Sequence, residues 1–209
     1  MEHTLSTEEK NRLPSASESE LIVALGTAAL PLVLGMPALA AAEGCVVDED
    51  WVNGGTEGTK TLTIAAQPDC PRNVTALLTD ADDSCTGTLT ITGKDCQGRT
   101  VVETMSPDGE GEGKTLTGTK IFASVTSAVV VGKGGTTSTD QIRVGYGDVI
   151  GVPIDLSRAV QVPNVYLGGV LIEAPVLSTG VSTSGVNASA GTYNGTKALI
   201  AYVAVPKLA

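Results

Sequence analysis

The sequence predicts an all-β protein, an antiparallel sandwich or jelly roll with an extended, partly helical N-terminal arm. Three observations lead there. Apolar and polar residues alternate in short runs, as Leu89 and Ile91 do against Thr88, Thr90 and Thr92, and period two marks a strand with one buried face. Turn formers interrupt these runs at short spacing, with 25 glycines and 10 prolines in the chain, which favours many short strands over helices. Aromatic residues are only 3% of the 209 residues. The core is therefore expected to be Val, Leu, Ile and Ala, with Phe122, Trp51 and four tyrosines as its few large anchors.

Residues 1–20 form a polar tail rich in Glu and Ser, a composition that buries too little to order itself. Ser17 and Glu20 match a capping box before an apolar run, so a helix is expected to begin near Glu18. The run itself, residues 21–44, is an apolar arm whose residues 21–42 carry no charge. Three readings stand. Small residues at Ala38, Ala40 and Ala42 resemble a secretory cleavage region, but the segment before the run is acidic where a signal has a positive start. The length suits a membrane span, yet Pro31, Pro37, Gly26 and Gly35 make a poor helix. The third reading is an arm buried against neighbouring subunits. On that reading Leu21, Ile22, Val23, Leu25, Leu30, Leu32, Val33, Leu34, Met36 and Leu39 are the partner-binding residues.

Residues 45–60 read as an exposed, turn-rich linker, with Asp48, Glu49 and Asp50 beside Trp51 and glycines at 54, 55 and 58. Residues 61–209 are the β domain. Within it, strands are expected over 62–66 and 73–79. A hairpin follows over 87–103, turning at Gly93-Lys-Asp-Cys-Gln-Gly98. Further strands are expected over 119–131, with Phe122 in the core, and over 141–148, with Ile142, Val144 and Tyr146 on one face. Residues 165–172 read as a strand pair or a bulged strand. Residues 198–205 are apolar on both faces and so belong in the middle of a sheet.

The formal net charge of −10 repels phosphate backbones, so no nucleic-acid partner is expected. The lone His3 and the wide spacing of Cys45, Cys70, Cys85 and Cys96 do not make a zinc site. These cysteines could form two disulfides in any of three pairings or remain thiols. Asp80, Asp82 and Asp83 could attract calcium but lack the spacing of a calcium loop. Gly113-Lys-Thr115 lacks the glycine that a phosphate loop needs five positions earlier. Asp82 and Glu103 could be imagined as paired carboxylates of a glycosidase, but a single His and few aromatics to form a sugar platform argue against an enzyme, and no catalytic arrangement is specified. No enzyme activity, no cofactor and no resident metal are expected.

Four strings taken in order carry a resemblance: Arg72-Asn-Val-Thr75, Thr88-Leu-Thr-Ile-Thr-Gly-Lys-Asp-Cys-Gln-Gly98, Gly118-Thr-Lys-Ile-Phe-Ala-Ser-Val-Thr-Ser127 and Val144-Gly-Tyr-Gly-Asp-Val-Ile-Gly-Val-Pro153. Together they resemble a β-rich module of virion proteins of tailed bacteriophages, over about half the chain. The resemblance implies a structural role without catalytic residues, as a capsid decoration or cement protein on the virion surface. Its implied partners are the major capsid protein or other virion subunits, in a homotrimer. A tail or head-fibre component is the neighbouring alternative. The competing class is a membrane-anchored or secreted surface protein, suggested by the same apolar run, the cysteines and the sequons at Asn73, Asn187 and Asn194.

Overall fold

The computed structural model describes residues 27–52, 57–79, 85–106, 114–134, 139–156, 161–173, 175–180, 182–188 and 193–206. These contain strands and turns and no helix. In chain order the strands are β1 (Thr27–Gly35), β2 (Ala41–Asp50), β3 (Gly58–Thr61), β4 (Arg72–Thr79), β5 (Thr86–Lys94), β6 (Thr100–Met105) and β7 (Lys114–Phe122). They continue with β8 (Ser124–Gly134), β9 (Gln141–Gly151), β10 (Gln161–Leu167), β11 (Val170–Leu171), β12 (Val176–Ser178), β13 (Gly185–Asn187) and β14 (Leu199–Pro206).

Every strand pairing is antiparallel. A terminal sheet runs β1-β14-β10-β11, a six-stranded sheet runs β12-β13-β9-β4-β7 with β2 also on β9, and a hairpin sheet runs β3-β8-β5-β6. The predicted 87–103 hairpin is β5 and β6, and its alternation places Leu89 and Ile91 at 0% exposure. The predicted 165–172 strand pair is β10 and β11, joined by Gly168 and Gly169 with φ of +60° and +81°, the left-handed values a two-residue hairpin turn requires. The last strand is central in its sheet, as its apolar pattern predicts.

Two apolar clusters hold these sheets. In the first, Val74, Ala76 and Leu78 of β4, Ile142 and Val144 of β9, and Cys45 and Val46 of β2 meet Leu89, Ile91, Val101, Ala128 and Val130 of the hairpin sheet. Fully buried Trp51 and Phe122 belong to it. In the second, Leu34, Val165, Leu167, Leu199, Ala201 and Val203 of the terminal sheet meet Ile150 and Val186 of the six-stranded sheet. β9 contributes to both, because its even-numbered residues run from one cluster into the other.

β4 is the strand on which that passage is built. Its register against β9 steps from Val74 opposite Tyr146 to Arg72 opposite Ile150, and against β7 from Thr75 opposite Thr117 to Asn73 opposite Ile121. Both neighbours thus bulge at the same level, and a bulge leaves ladder groups without backbone partners. The Asn73 side chain serves both: its Nδ2 donates to Gly118 O at 3.1 Å and its Oδ1 accepts from Val149 N at 3.0 Å. Gly147 makes this fit possible, since a Cβ there would lie 2.6 Å from Asn73 Oδ1.

Several expectations are corrected. The arm is not helical where it is described: residues 27–35 are β1, paired along its length with β14. The proline that spoils a helix is tolerated in a sheet-edge strand, and the apolar partner that orders the segment is β14 of the same chain. The expected helix start at Ser17 to Glu20, together with Leu21, Ile22, Val23 and Leu25, lies outside the described residues. The expected linker, residues 45–60, holds the latter part of β2 and the start of β3, and Trp51 is at 0% exposure rather than in an open turn. Residues 62–66 are not a strand. β3 precedes them, and Ala65 N and Ala66 N both donate to Cys45 O at 2.8 and 3.3 Å instead of joining a ladder.

Candidate functional site

The terminal sheet has one face in the second cluster and one face outward. Its register sorts the residues. Leu32 lies opposite Ala201 and shares the inner face, where it packs on the cluster with Leu34. The alternate residues point outward. Val33 lies opposite Ile200, Ile200 opposite Tyr166, and Tyr166 opposite Leu171, so four apolar or aromatic side chains form one row across all four strands. The next row is Pro31, Tyr202 and Asn164. The Tyr166 and Tyr202 rings meet edge to face with centroids 5.6 Å apart, a geometry that adds rigidity to the surface. Neither row contains an Asp, Glu, Lys or Arg.

The expected partner-binding residues divide accordingly. Leu34 is at 6% exposure and belongs to the core, and half-buried Leu32 packs against it. Val33 is at 72%, Met36 at 58%, Leu39 at 54% and Leu30 at 44%, all exposed. Tyr166, Leu171, Ile200 and Tyr202 share the face but not the neighbourhood in sequence. The alternation within 165–171 and 199–203 marks them as opposite-facing, but nothing in the chain says that β1 joins the same sheet.

A second polar site ties the cores together. Arg72 is at 0% exposure. Its Nε donates to Gly147 O at 2.7 Å, and its Nη1 donates to Ala38 O and Asp69 Oδ1, both at 3.0 Å. Its Nη2 stands 3.7 Å from Asp148 Oδ1. The guanidinium carbon lies 4.5 Å from the Tyr146 ring centre and 5.9 Å from that of Tyr193, within cation–π range. Tyr146 packs on the first cluster and Tyr193 belongs to the second, so the one cation touches both. Burial on its own would raise the Asp69 carboxyl, but the Ala38 amide and Arg72 outweigh it and lower its pKa. Among the described residues, Arg72 Nη2 and Asp148 Oδ1 are buried without a hydrogen-bond partner, while Nε and Nη1 are spent on carbonyls and Asp69, so the cation ties the two clusters together.

The third polar cluster is the β5–β6 turn. Asp95, at 3% exposure, accepts at Oδ1 from Gln97 N and Arg99 N, both at 2.9 Å. At Oδ2 it accepts from Arg99 Nε at 2.7 Å and Ser182 Oγ at 2.9 Å. Ser182 holds φ of +62°, a strained value for a residue with a Cβ, and Ile121 N donates to its carbonyl at 2.8 Å. The adjoining pocket, lined by Cys96, Arg99, Asp155 and Ser184 among others, has an interior of about 10 Å³, room for one water. Burial alone would raise the Asp95 carboxyl, but the hydrogen bonds from Arg99, Ser182 and Gln97 hold it below its ordinary 3.8. A depressed carboxylate contributes stability that is complete above the ordinary value and is lost as pH falls through the lower folded one. The melting-temperature gap between wild type and Asp95→Asn is therefore expected to be widest above about pH 5 and to close as pH falls below 3.8. A gap independent of pH would show that the carboxylate charge contributes nothing.

The remaining sequence candidates are placed as follows. Asp48 pairs with Arg143, which also reaches Glu43 at 3.2 Å. Glu49 pairs with Lys60 at 3.3 Å and accepts from Thr63 N. Asp48 and Glu49 are thus spent on ion pairs, and Asp50 accepts from Lys60 Nζ at its backbone carbonyl. Glu103 accepts from Lys120 N at 2.7 Å, while Asp80, Asp82 and Asp83 lie outside the described residues. Among the described residues no group of His, Cys, Asp and Glu could hold a metal ion. No disulfide joins the four cysteines. Burial pushes the thiols of Cys45 and Cys96 up to about 11 and that of Cys70 to about 12, which suppresses the reactive thiolate. Among the described residues no helix is long and apolar enough to cross a membrane. No protein-family model, curated protein or solved structure matches the chain.

Proposed function

We propose that the protein is a structural subunit of a virion, a capsid decoration or cement protein, and that the outer side of its terminal sheet makes the subunit contact. The observation that carries the contact surface is the uncharged row Val33, Ile200, Tyr166 and Leu171 on a chain of net charge −10. An uncharged apolar row across one sheet face of an acidic protein is a surface suited to burial against another protein. Support for the virion setting comes from the ordered strings of β4, β5, β7 and β9 and their resemblance to tailed-phage virion proteins. On this reading the three sheets are the layers of a sandwich or jelly roll. The partners are the major capsid protein or other virion subunits, with the decoration protein itself a homotrimer, and the work done is mechanical.

The test is incorporation into particles. The double variant Val33→Asp, Leu171→Asp places carboxylates on the outer face without touching either cluster. Its recovery on purified particles is expected to fall at least about tenfold, while Val47→Asp, exposed on β2, is expected to incorporate normally. Equal recovery of the double variant and wild type would remove the terminal sheet from the contact and, with it, the reading.

A further inference from the structure

We infer that Cys70 and Cys96 form a reversible disulfide that fastens the segment before β4 to the β5–β6 turn, a redox-sensitive lock beside the second cluster. The bond needs an oxidant, and a small-molecule disulfide such as oxidised glutathione is of the required class.

Exposure and position single out this pair from the three ways of joining four cysteines. Cys45 and Cys85 are at 0% exposure inside the first cluster. Cys70 and Cys96 are half-buried, and both border the second cluster. Cys70 packs against it, and Cys96 lines its pocket together with Val152 and Ile154. The last residue of β9 lies between them. Gly151 N donates to Pro71 O at 2.7 Å, which holds the residue after Cys70 in place. A Cβ at Gly151 would stand 2.9 Å from Cys96 Sγ and 3.1 Å from Pro71 Cβ, so the missing side chain lets the Cys96 sulfur approach the Cys70–Pro71 segment. Glycine backs the other thiol as well, since a Cβ at Gly35 would lie 3.3 Å from Cys70 Cβ. The two thiols also sense each other: burial, Asp69 and Cys96 all raise the Cys70 thiol.

The reaction is an exchange in two steps. Cys96, at about 11 against about 12 for Cys70, loses its proton first. Its thiolate attacks one sulfur of oxidised glutathione and expels one glutathione thiolate. The Cys70 thiol donates to Asp69 Oδ1 at 3.6 Å. It turns from that carboxylate, gives up its proton and attacks the Cys96 sulfur, expelling the second glutathione. Two protein thiols are oxidised, and one small disulfide is reduced to two thiols. Both groups titrate far above neutrality, so the bridge is expected to form slowly at pH 7 and about tenfold faster per pH unit up to about pH 9. On the structural-subunit reading, a chain assembled in a reducing cytosol stays unlocked and gains the bridge after release into an oxidising medium. Cys70 lies two residues before Arg72 and Cys96 adjoins Asp95, so the bridge joins the two polar clusters built on those residues.

The test applies oxidised glutathione to the folded, reduced full chain, alkylates the remaining thiols and digests with trypsin. The four cysteines fall in four tryptic peptides, 13–60, 61–72, 73–94 and 95–99, so mass alone reads the pairing. A single bridge joining 61–72 to 95–99 is expected, with a melting temperature raised by about 6–10 °C and restored by dithiothreitol. Cys70→Ser and Cys96→Ser are each expected to lose both the bridge and the rise. The pairing map needs no variant, so the test stands even where a serine replacement fails to fold. A bridge between other peptides, glutathione adducts that never resolve into a bridge, or a bridge formed only in denaturant overturns the inference. The isolated chain suffices for this test, and its outcome is independent of incorporation into particles.

Discussion

Arg72→Ala is expected to destabilise the protein by about 3 kcal/mol, the low end of the range for breaking a buried ion pair from one side. The low end applies because Asp69 and Asp148, at side-chain exposures of 27% and 21%, regain water when the cation leaves. What remains is the loss of donors to Gly147 O and Ala38 O and the space left between the Tyr146 and Tyr193 rings. For a chain of this length that corresponds to a fall in melting temperature of about 6–12 °C. Arg72→Lys keeps the charge but not the planar fork that reaches two carbonyls and a carboxylate together, so an intermediate loss is expected. The difference between wild type and the alanine variant should shrink in acid, because the Asp69 carboxyl is held below its usual value and its contribution disappears as it protonates. Thermal melts of the three proteins across the acid range provide the check. Arg72→Lys as stable as wild type would show that charge alone matters and that the carbonyl contacts do not.

Asn73→Ala is expected to cost about 2–6 kcal/mol, because it strips the partner from two ladder groups, Gly118 O and Val149 N, and each unmet buried group costs about 1–3 kcal/mol. Asn73 is at 2% exposure, so water does not replace the lost bonds freely. Asn73→Asp is the informative companion. It retains an acceptor for Val149 N, yet turns a second oxygen toward Gly118 O where the amide donated. It should be nearly as harmful as alanine at neutral pH and should recover in acid, where a protonated carboxyl again donates. Amide exchange along β7 and β9 should report the same site, with protection lost first at the two bulges. An Asn73→Ala protein that melts with wild type would mean that the bulges satisfy themselves.

Neither residue announces its role in the sequence. Arg72-Asn-Val-Thr75 reads as the start of a strand, and a strand it is, but an arginine there would ordinarily be placed in solvent. Its burial follows from the double register step beside Asn73 and from carbonyls 34 and 75 residues away. The same holds for the candidate site. The exposed positions of β1 were legible as apolar, but which of them face outward depends on pairing with β14. The earlier expectation grouped Leu32 and Leu34 with Val33, because an uncharged run shows no period from which faces can be assigned.

Residue pattern alone determined the β class, β4, β8 and β9, the β5–β6 hairpin and the central place of the last strand, while β7 begins at Lys114, ahead of the expected 119. Each of those rests on local alternation and on turn residues, which act within a few positions. Tertiary structure decided what local pattern cannot encode. It made residues 27–35 of the N-terminal apolar segment a sheet strand, because the distant β14 offers their backbone a partner. It drew the start of the expected linker into β2 by giving it β9 to pair with. It assembled one continuous uncharged face from β1, β10, β11 and β14, elements separated by most of the chain, since side chains on different strands become neighbours only when the register between them is set.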